Sequence, residues 1–317
     1  MYNEILPFGE PLFFDGEYVD DKLYPLYVQS ISASFELKKD HIPTIQLKNN
    51  TNFIPTEYVT SSNGDIVDLV LTNVDLKLFK EHYNIEYIKY HSGWKFKGIE
   101  GLFRDYIDKW TTVKIESKKQ NNLAMYRISK LMLNSLYGKF GLNPNIRSKY
   151  PELDDKGIVT YKFYEKETRE PIYIPIAAFI TSYARNKTIR TSQAIKEYSI
   201  KNYGKDYYIY SDTDSIHTLF TDTDILKQFV DIDDYRLGAW KLESQFIKGK
   251  YLRAKSYIEM SPEGKLNCTV AGLPKNLGDL VDFDNFKIGN SYFGKMIPLH
   301  VKGGLVLKPD YFTIREK

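Results

Sequence analysis

Apolar and polar residues alternate through Tyr24–Leu37 (YPLYVQSISASFEL), the two-residue period of a strand with one buried face. An Asn-Gly pair, Asn63–Gly64, predicts a tight turn feeding a second such run, DIVDLVLT. NVDLKLFKEHY predicts a short helix with Asn73 or Asp75 near its start. Residues 1–100 thus read as α+β, short strands alternating with turns, without a cluster of catalytic type.

The period changes near residue 101. GLFRDYIDKWTTVKI spaces Leu102, Tyr106, Trp110 and Val113 as one helix face. NNLAMYRISKLMLNSLYGKF holds no proline and gathers Leu123, Ile128, Leu131 and Leu136 on one broad face. Arg127, Lys130, Asn134 and Tyr137 share another, with Gly138 where such a helix could end. Residues 141–177 are rich in turns around one strand-like run, IVTYKFY, which predicts an extended β-hairpin. FITSYARNKTIRTSQAIKEYS predicts a helix, and DYYIYSDTDSIHTLFT a strand, a tight turn and a strand. From about residue 270 the chain reads as short strands and loops.

Composition narrows the class. The 317 residues suffice for two or three domains, and 42% hydrophobic with 27% charged residues is ordinary for a globular protein. Aromatic residues make up 15%, including 26 tyrosines, which suit surfaces half apolar and half wet. The single Cys268 excludes an intramolecular disulfide framework or a cysteine zinc site and fits a reducing compartment. No apolar run is long enough to cross a bilayer, and MYNEILPFGEP lacks the regions of a signal peptide. The expected location is the cytoplasm. Net charge is +3 but unevenly spread. From Lys109 to Tyr150 stand nine basic residues and one acid, Glu116, a net +8 that leaves −5 elsewhere. Such a block beside carboxylates suggests a polyanionic partner, although a solvated helix face gives the same pattern.

The carboxylates are in YSDTDS. On a fully extended strand Tyr210, Asp212 and Asp214 would face one side. Two carboxylates so close repel, and need a cation or a proton between them. Hard oxygen ligands favour Mg²⁺ or Mn²⁺, and Mg²⁺ takes one or two carboxylates together with substrate phosphates. A plain aspartate-rich turn is the structural alternative. Lys130, one helical turn from Asn134, offers a point charge on the helix surface. Tyr137 offers a flat ring beside it. Lys255 and Tyr257 alternate in a strand-like run, so both can face backbone phosphates. Thr181 and Arg185 stand at i and i+4 on a helix. His217 and the aspartates of VDIDD are read as packed and solvated residues without a role.

These motifs carry a resemblance. YSDTDS resembles the third polymerase motif of family-B DNA polymerases. KLMLNSLYG, Lys130 to Gly138, resembles their second, and the order along the chain is the same. KSY at Lys255–Tyr257 is similar to the Lys-x-Tyr primer-strand motif, and TSYAR at Thr181–Arg185 to the Thr-x-x-[Gly/Ala]-Arg template motif. The extra segments on either side of the second motif resemble the two insertions of protein-primed phage polymerases.

The resemblance implies a right-hand fold: an α+β palm with an antiparallel sheet (178–269), helical fingers (102–140) and a small thumb (270–317). It implies two β-rich insertions, one that binds terminal protein (1–101) and one for processivity and strand displacement (141–177). It implies template-directed DNA synthesis with Mg²⁺ or Mn²⁺, on a DNA primer-template and dNTPs, primed by a terminal protein. Asp214 and Asp212 would be catalytic and hold the metal. Lys114, Lys130, Asn134 and Tyr137 would bind the dNTP. Gly138, Thr181, Arg185, Lys255 and Tyr257 would bind DNA.

The family's first palm motif, a metal-binding aspartate followed by Ser-Leu-Tyr-Pro, has no match. DDKLYPLY at Asp20–Tyr27 lacks the serine and is read as a decoy. The family's exonuclease domain is expected to be absent too. The expectation is a C-terminal polymerase portion that needs an N-terminal half. The rival expectations are a DNA- or terminal-protein-binding fragment without chemistry, and an RNA-dependent polymerase, against which the KxxxNSxYG helix speaks.

Overall fold

The computed structural model describes all residues except Met1, Asn49, Pro55, Thr56, Tyr235, Gly303 and Lys317. The fold is mixed α/β and falls into two compact units, Met1–Pro144 with Glu170–Leu219, and Asn145–Arg169 with Phe220–Lys317.

The first unit is built on strands β1 (Leu6–Asp15), β2 (Leu26–Leu37), β3 (Val67–Thr72) and β4 (Tyr83–Ile99), antiparallel in the order β1-β4-β2-β3. The alternation of β2 is realised: Ile31, Ala33 and Phe35 point into one core with Leu69, Leu76, Phe79 and Tyr83. Asn63 and Gly64 both adopt positive φ, +55° and +81°, the pair of left-handed residues a tight turn needs. Helix α1 (Asn73–His82) starts at Asn73, as expected. Its N-cap is Thr72, whose hydroxyl accepts from the Asp75 amide. The 17-residue β4 is a single long strand where short ones were expected, because β1 and β2 pair along its two edges.

Tyr83 is 1% exposed, and its hydroxyl donates to the Val59 carbonyl at 2.8 Å while accepting from the Thr44 amide at 2.8 Å. Burial pushes its pKa up to about 12. Beside it His82 is buried, its Nδ1 2.8 Å from the Ile42 carbonyl, and burial holds its pKa below the usual value. The unfolded chain therefore binds a proton that the folded unit resists. Stability present above about pH 6.5, the ordinary histidine value, is lost as pH falls toward the depressed folded value. Thermal unfolding scanned from pH 7.5 to 5 will show this slope, and a His82→Gln variant will flatten it.

Helices α2 (Arg104–Lys119) and α3 (Leu123–Phe140) pack on each other as a hairpin. The expected apolar face of α3 is not buried: Leu123, Ile128 and Leu131 are 67%, 45% and 65% exposed. Two helices joined only to each other along most of their length can bury one narrow stripe, and the rest of the broad face stays outside. Gly138 does not end α3. It is not among the positive-φ residues, and the helix continues to Phe140 with Gly141 as its C-cap. After the residues assigned to the second unit comes α4 (Ile174–Tyr203), 30 residues closed by Gly204 at φ +65°. Ile176, Phe179 and Ile180 pack it against Leu6, Leu26 and Phe96. Strands β9 (Tyr208–Asp212) and β10 (Ser215–Thr218) form the expected hairpin.

In the second unit the expected hairpin is present as β6 (Lys149–Leu153) with β7 (Val159–Phe163). It is flanked by the short pair β5 (Asn145–Ile146) and β8 (Glu167–Thr168). It joins this unit through Lys302, whose amide donates to the Pro151 carbonyl at 3.2 Å. A short helix α5 (Thr223–Leu226) precedes a three-stranded antiparallel sheet, β11 (Lys248–Arg253), β12 (Ser256–Met260) and β13 (Leu266–Val270). Strands β14 (Ser291–Val301) and β15 (Gly304–Thr313) form a hairpin longer than the short strands expected there. Ile258, Leu277, Phe286, Tyr292 and Ile314 form the core.

Candidate active site

Helix α4 is the support of the site, since α3, β9 and β10 all pack against it. The β9 end is pinned to α4 twice. The Ser199 hydroxyl accepts from the Tyr207 amide at 3.1 Å, and Lys196 pairs with Asp206 at 2.9 Å. Tyr208 is half-buried, which raises its pKa, and its hydroxyl lies 2.9 Å from Ser211 Oγ.

The turn of this hairpin is Thr213–Asp214, with Asp212 opposite Ser215. Asp212 therefore ends a strand while Asp214 sits in the turn. A fully extended Tyr210-Asp212-Asp214 run does not exist, because the chain reverses after Asp212. Both aspartates belong to the reversal instead, Asp212 at its edge and Asp214 inside it. Asp212 is half-buried and Asp214 exposed. Thr213 Oγ1 donates to Asp212 Oδ1 at 3.0 Å, and Ser215 Oγ to the Asp212 carbonyl at 3.2 Å. Tyr210 and His217 face each other across the strands, ring centroids 5.5 Å apart, in keeping with a packed histidine.

Beside the hairpin, Arg185 on α4 donates to Asp75 Oδ1 at 2.6 Å. Asp75 is also bound by Ser182 Oγ at 2.6 Å and Thr72 Oγ1 at 3.2 Å. Part of the Arg185 fork is thus engaged by Asp75. Tyr58 also hydrogen-bonds Arg185. Desolvation of its hydroxyl, with Asp212 and Asp75 nearby, raises its pKa against the pull of that guanidinium, although the residue as a whole is 44% exposed. Thr181 is exposed one turn before Arg185, its hydroxyl turned back to the Ala178 carbonyl at 2.8 Å.

On α3, Lys130, Asn134 and Tyr137 are exposed along one row, as their spacing predicts. Lys114 is half-buried on α2. Gly138 is on the same helix, and a Cβ built there meets nothing within 4 Å. Lys255 and Tyr257 belong to the second unit. They do not alternate within one strand: Lys255 is in the β11–β12 turn at φ +56°, and Tyr257 is in β12, its ring stacked on Tyr251 at 5.3 Å. The tight reversal after Arg253 takes Lys255 out of the ladder.

Asp75, marked by the sequence only as a helix start, and Tyr58 and Thr188 were not expected at the site. Thr188 had a signal, since it lies seven residues after Thr181 and so on the same side of the helix. Tyr58 and Asp75 had none, being brought in from distant parts of the chain. Among the described residues no group of three or more His, Cys, Asp or Glu could hold a metal ion. The donor set at the hairpin is two carboxylates. That fits Mg²⁺, which takes few protein ligands and completes its shell with water and substrate oxygens.

The carboxylate hairpin and the helix that carries Lys130, Asn134 and Tyr137 thus share α4 as their support. Residues 1–229 match the family described as DNA polymerase type B, organellar and viral. The chain belongs to that family. It is 44% identical over 333 residues to the DNA polymerase of Bacillus phage phi29, covering 99% of this chain and 55% of that protein. It is 37% identical over 325 residues to the DNA polymerase of Streptococcus phage Cp-1, covering 100% and 54%. The solved structure of phi29 DNA polymerase with primer-template DNA and incoming nucleotide aligns with TM-score 0.87 and 44% identity, over 99% of this chain and 55% of that one. The chain thus spans about half the length of the relatives it matches. No helix among the described residues is long and apolar enough to cross a membrane.

Proposed function

We propose that the chain is the C-terminal portion of a protein-primed, DNA-directed DNA polymerase. It would add dNTPs to a primer hydroxyl in company with an N-terminal portion that carries the exonuclease and the first palm motif. The observation that carries this reading is the Thr213–Asp214 turn, which puts Asp212 and Asp214 within one hairpin reversal that Thr188 of α4 holds through the Thr213 carbonyl. Residues 102–140 serve as fingers, 178–269 as palm and 270–317 as thumb, with insertions at 1–101 and 141–177. The longer relatives and the solved structure with primer-template DNA and nucleotide support this assignment.

Asp214 and Asp212 would hold the divalent cation, Mg²⁺ or Mn²⁺. When bound, it supplies charge neutralisation at the phosphates and lowers the pKa of the attacking hydroxyl. Lys130 and Lys114 neutralise the triphosphate, Asn134 and Tyr137 border the nascent base pair, and Thr181, Arg185, Lys255 and Tyr257 hold the DNA backbone. The attacking oxygen, of a primer 3′ end or of a terminal-protein hydroxyl, forms a bond to the α-phosphorus, and pyrophosphate leaves.

Binding of the chain to a labelled primer-template, followed by anisotropy across a salt series, tests the DNA half of this reading. Affinity should fall steeply with salt, as counterion release requires. Affinity that is flat with salt contradicts it. A helix-interior Gly138→Ala should stabilise the chain by about 1 kcal/mol, because alanine is the better helix former and no neighbour opposes its methyl. The same variant should bind primer-template more weakly, because the methyl occupies the space DNA needs. Raised stability with undiminished DNA affinity would remove Gly138 from the DNA-binding set.

A further inference from the structure

Thr188 is 7% exposed on α4, and its Oγ1 donates to the carbonyl oxygen of Thr213 at 2.8 Å. Thr213 stands between the two aspartates. Its φ is +50°, in the left-handed region that a β-branched residue rarely enters. The carbonyl gripped by Thr188 belongs to the peptide that joins Thr213 to Asp214. Its orientation sets the direction in which the Asp214 side chain leaves the turn. In two-residue hairpin turns this peptide is the group whose rotation separates one turn type from another. The bonds from Thr213 Oγ1 to Asp212 and from Ser215 Oγ to Asp212 lie within the hairpin itself. The Thr188 bond crosses from the turn to α4, 25 residues away in sequence, and so references the turn to the body of the unit.

We propose that Thr188 is a positioning residue for Asp214. Its hydroxyl locks the Thr213–Asp214 peptide in the strained orientation that keeps the Asp214 carboxylate aimed beside that of Asp212. The inference rests on the reading that these two carboxylates hold a divalent cation. A residue that merely filled the interior would affect stability alone, whereas a positioning residue sets ion affinity. Partners that orient metal ligands characteristically change affinity by 10–100-fold when removed.

The test is Mn²⁺ titration of the purified chain, followed by the free-ion EPR signal, with circular dichroism and thermal unfolding as controls. Thr188→Val keeps the shape and removes the donor, and should weaken the hairpin site about 10-fold. Thr188→Ser keeps the donor and should bind like the parent chain, while Asp214→Asn should lose the site. If Thr188→Val fails to fold, Thr188→Ala is read in the same way. Parent affinity in a folded Thr188→Val protein, with Asp214→Asn weakened, overturns the Thr188 inference and leaves the site intact. Equal binding by the parent and Asp214→Asn overturns the cation reading and the inference with it.

Discussion

Asp214→Asn will lower single-nucleotide incorporation by at least about 10³-fold in the complemented enzyme, the scale of loss when one member of a catalytic unit is removed. The substitution changes little else. Asp214 is exposed in the turn, so its replacement should move stability by no more than about 0.5 kcal/mol. What it removes is a negative oxygen from a donor set of two. The neutral amide then leaves Asp212 to hold the cation without its neighbour. Rapid-quench measurement of one incorporation step, with DNA affinity as a control, separates this loss from weaker binding. Incorporation at the parent rate would remove Asp214 from the reaction.

Lys130→Ala will lower kcat/KM for dNTP by about 10- to 100-fold, mainly through KM. A charge-assisted hydrogen bond to phosphate contributes about 1.5–3 kcal/mol, and each 1.4 kcal/mol is a factor of ten. The lysine is exposed on the same row of α3 as Asn134 and Tyr137, so truncation should leave the helix and its unfolding temperature unchanged. Lys130→Arg should recover only part of the loss, because a planar fork does not reproduce a compact ammonium. Steady-state kinetics at saturating primer-template read the effect. An unchanged KM would return Lys130 to the status of a solvated helix residue.

The parts of this structure that could be read from sequence are those encoded by local period and turn chemistry. The alternation of β2, the Asn63–Gly64 turn and the reversal inside YSDTDS all lie within a few residues of their cause. The row Lys130, Asn134, Tyr137 also follows from the helical period alone, and the structure exposes it. Burial is a different matter. Leu123, Ile128 and Leu131 form an apolar face by spacing, yet α2 and α4 do not cover it within the first unit. Gly138 looked like a helix end because glycine favours caps, but hydrogen bonding carries α3 on to Phe140. Lys255 left its strand because of a tight reversal that the run itself does not announce. The supports of the carboxylate hairpin were out of reach for another reason. Arg185 meets Asp75 across 110 positions, and Thr188 meets Thr213 across 25. Such pairs exist only once α4 is laid against the sheet and the hairpin.

The stability of the first unit ties these supports to the fold. Asp75 is buried and bound by Thr72, Ser182 and Arg185 together, so α1, α4 and the end of β3 share one polar junction. In a buried setting such a network is specific, because every member must find its partner. The same helix that receives Arg185 and Ser182 in this junction holds the carboxylate turn through Thr188. The candidate site thus inherits its rigidity from the packing of α4.

The most direct measurement of the central claim is primer extension with Mg²⁺ and dNTPs, on the chain alone and with an N-terminal polymerase portion supplied as a separate chain. The account predicts templated extension with the supplement, and none when the supplemented chain carries Asp214→Asn. Folded, DNA-binding chain that gives no extension even with the supplement would contradict it, and would leave the binding-fragment reading in its place.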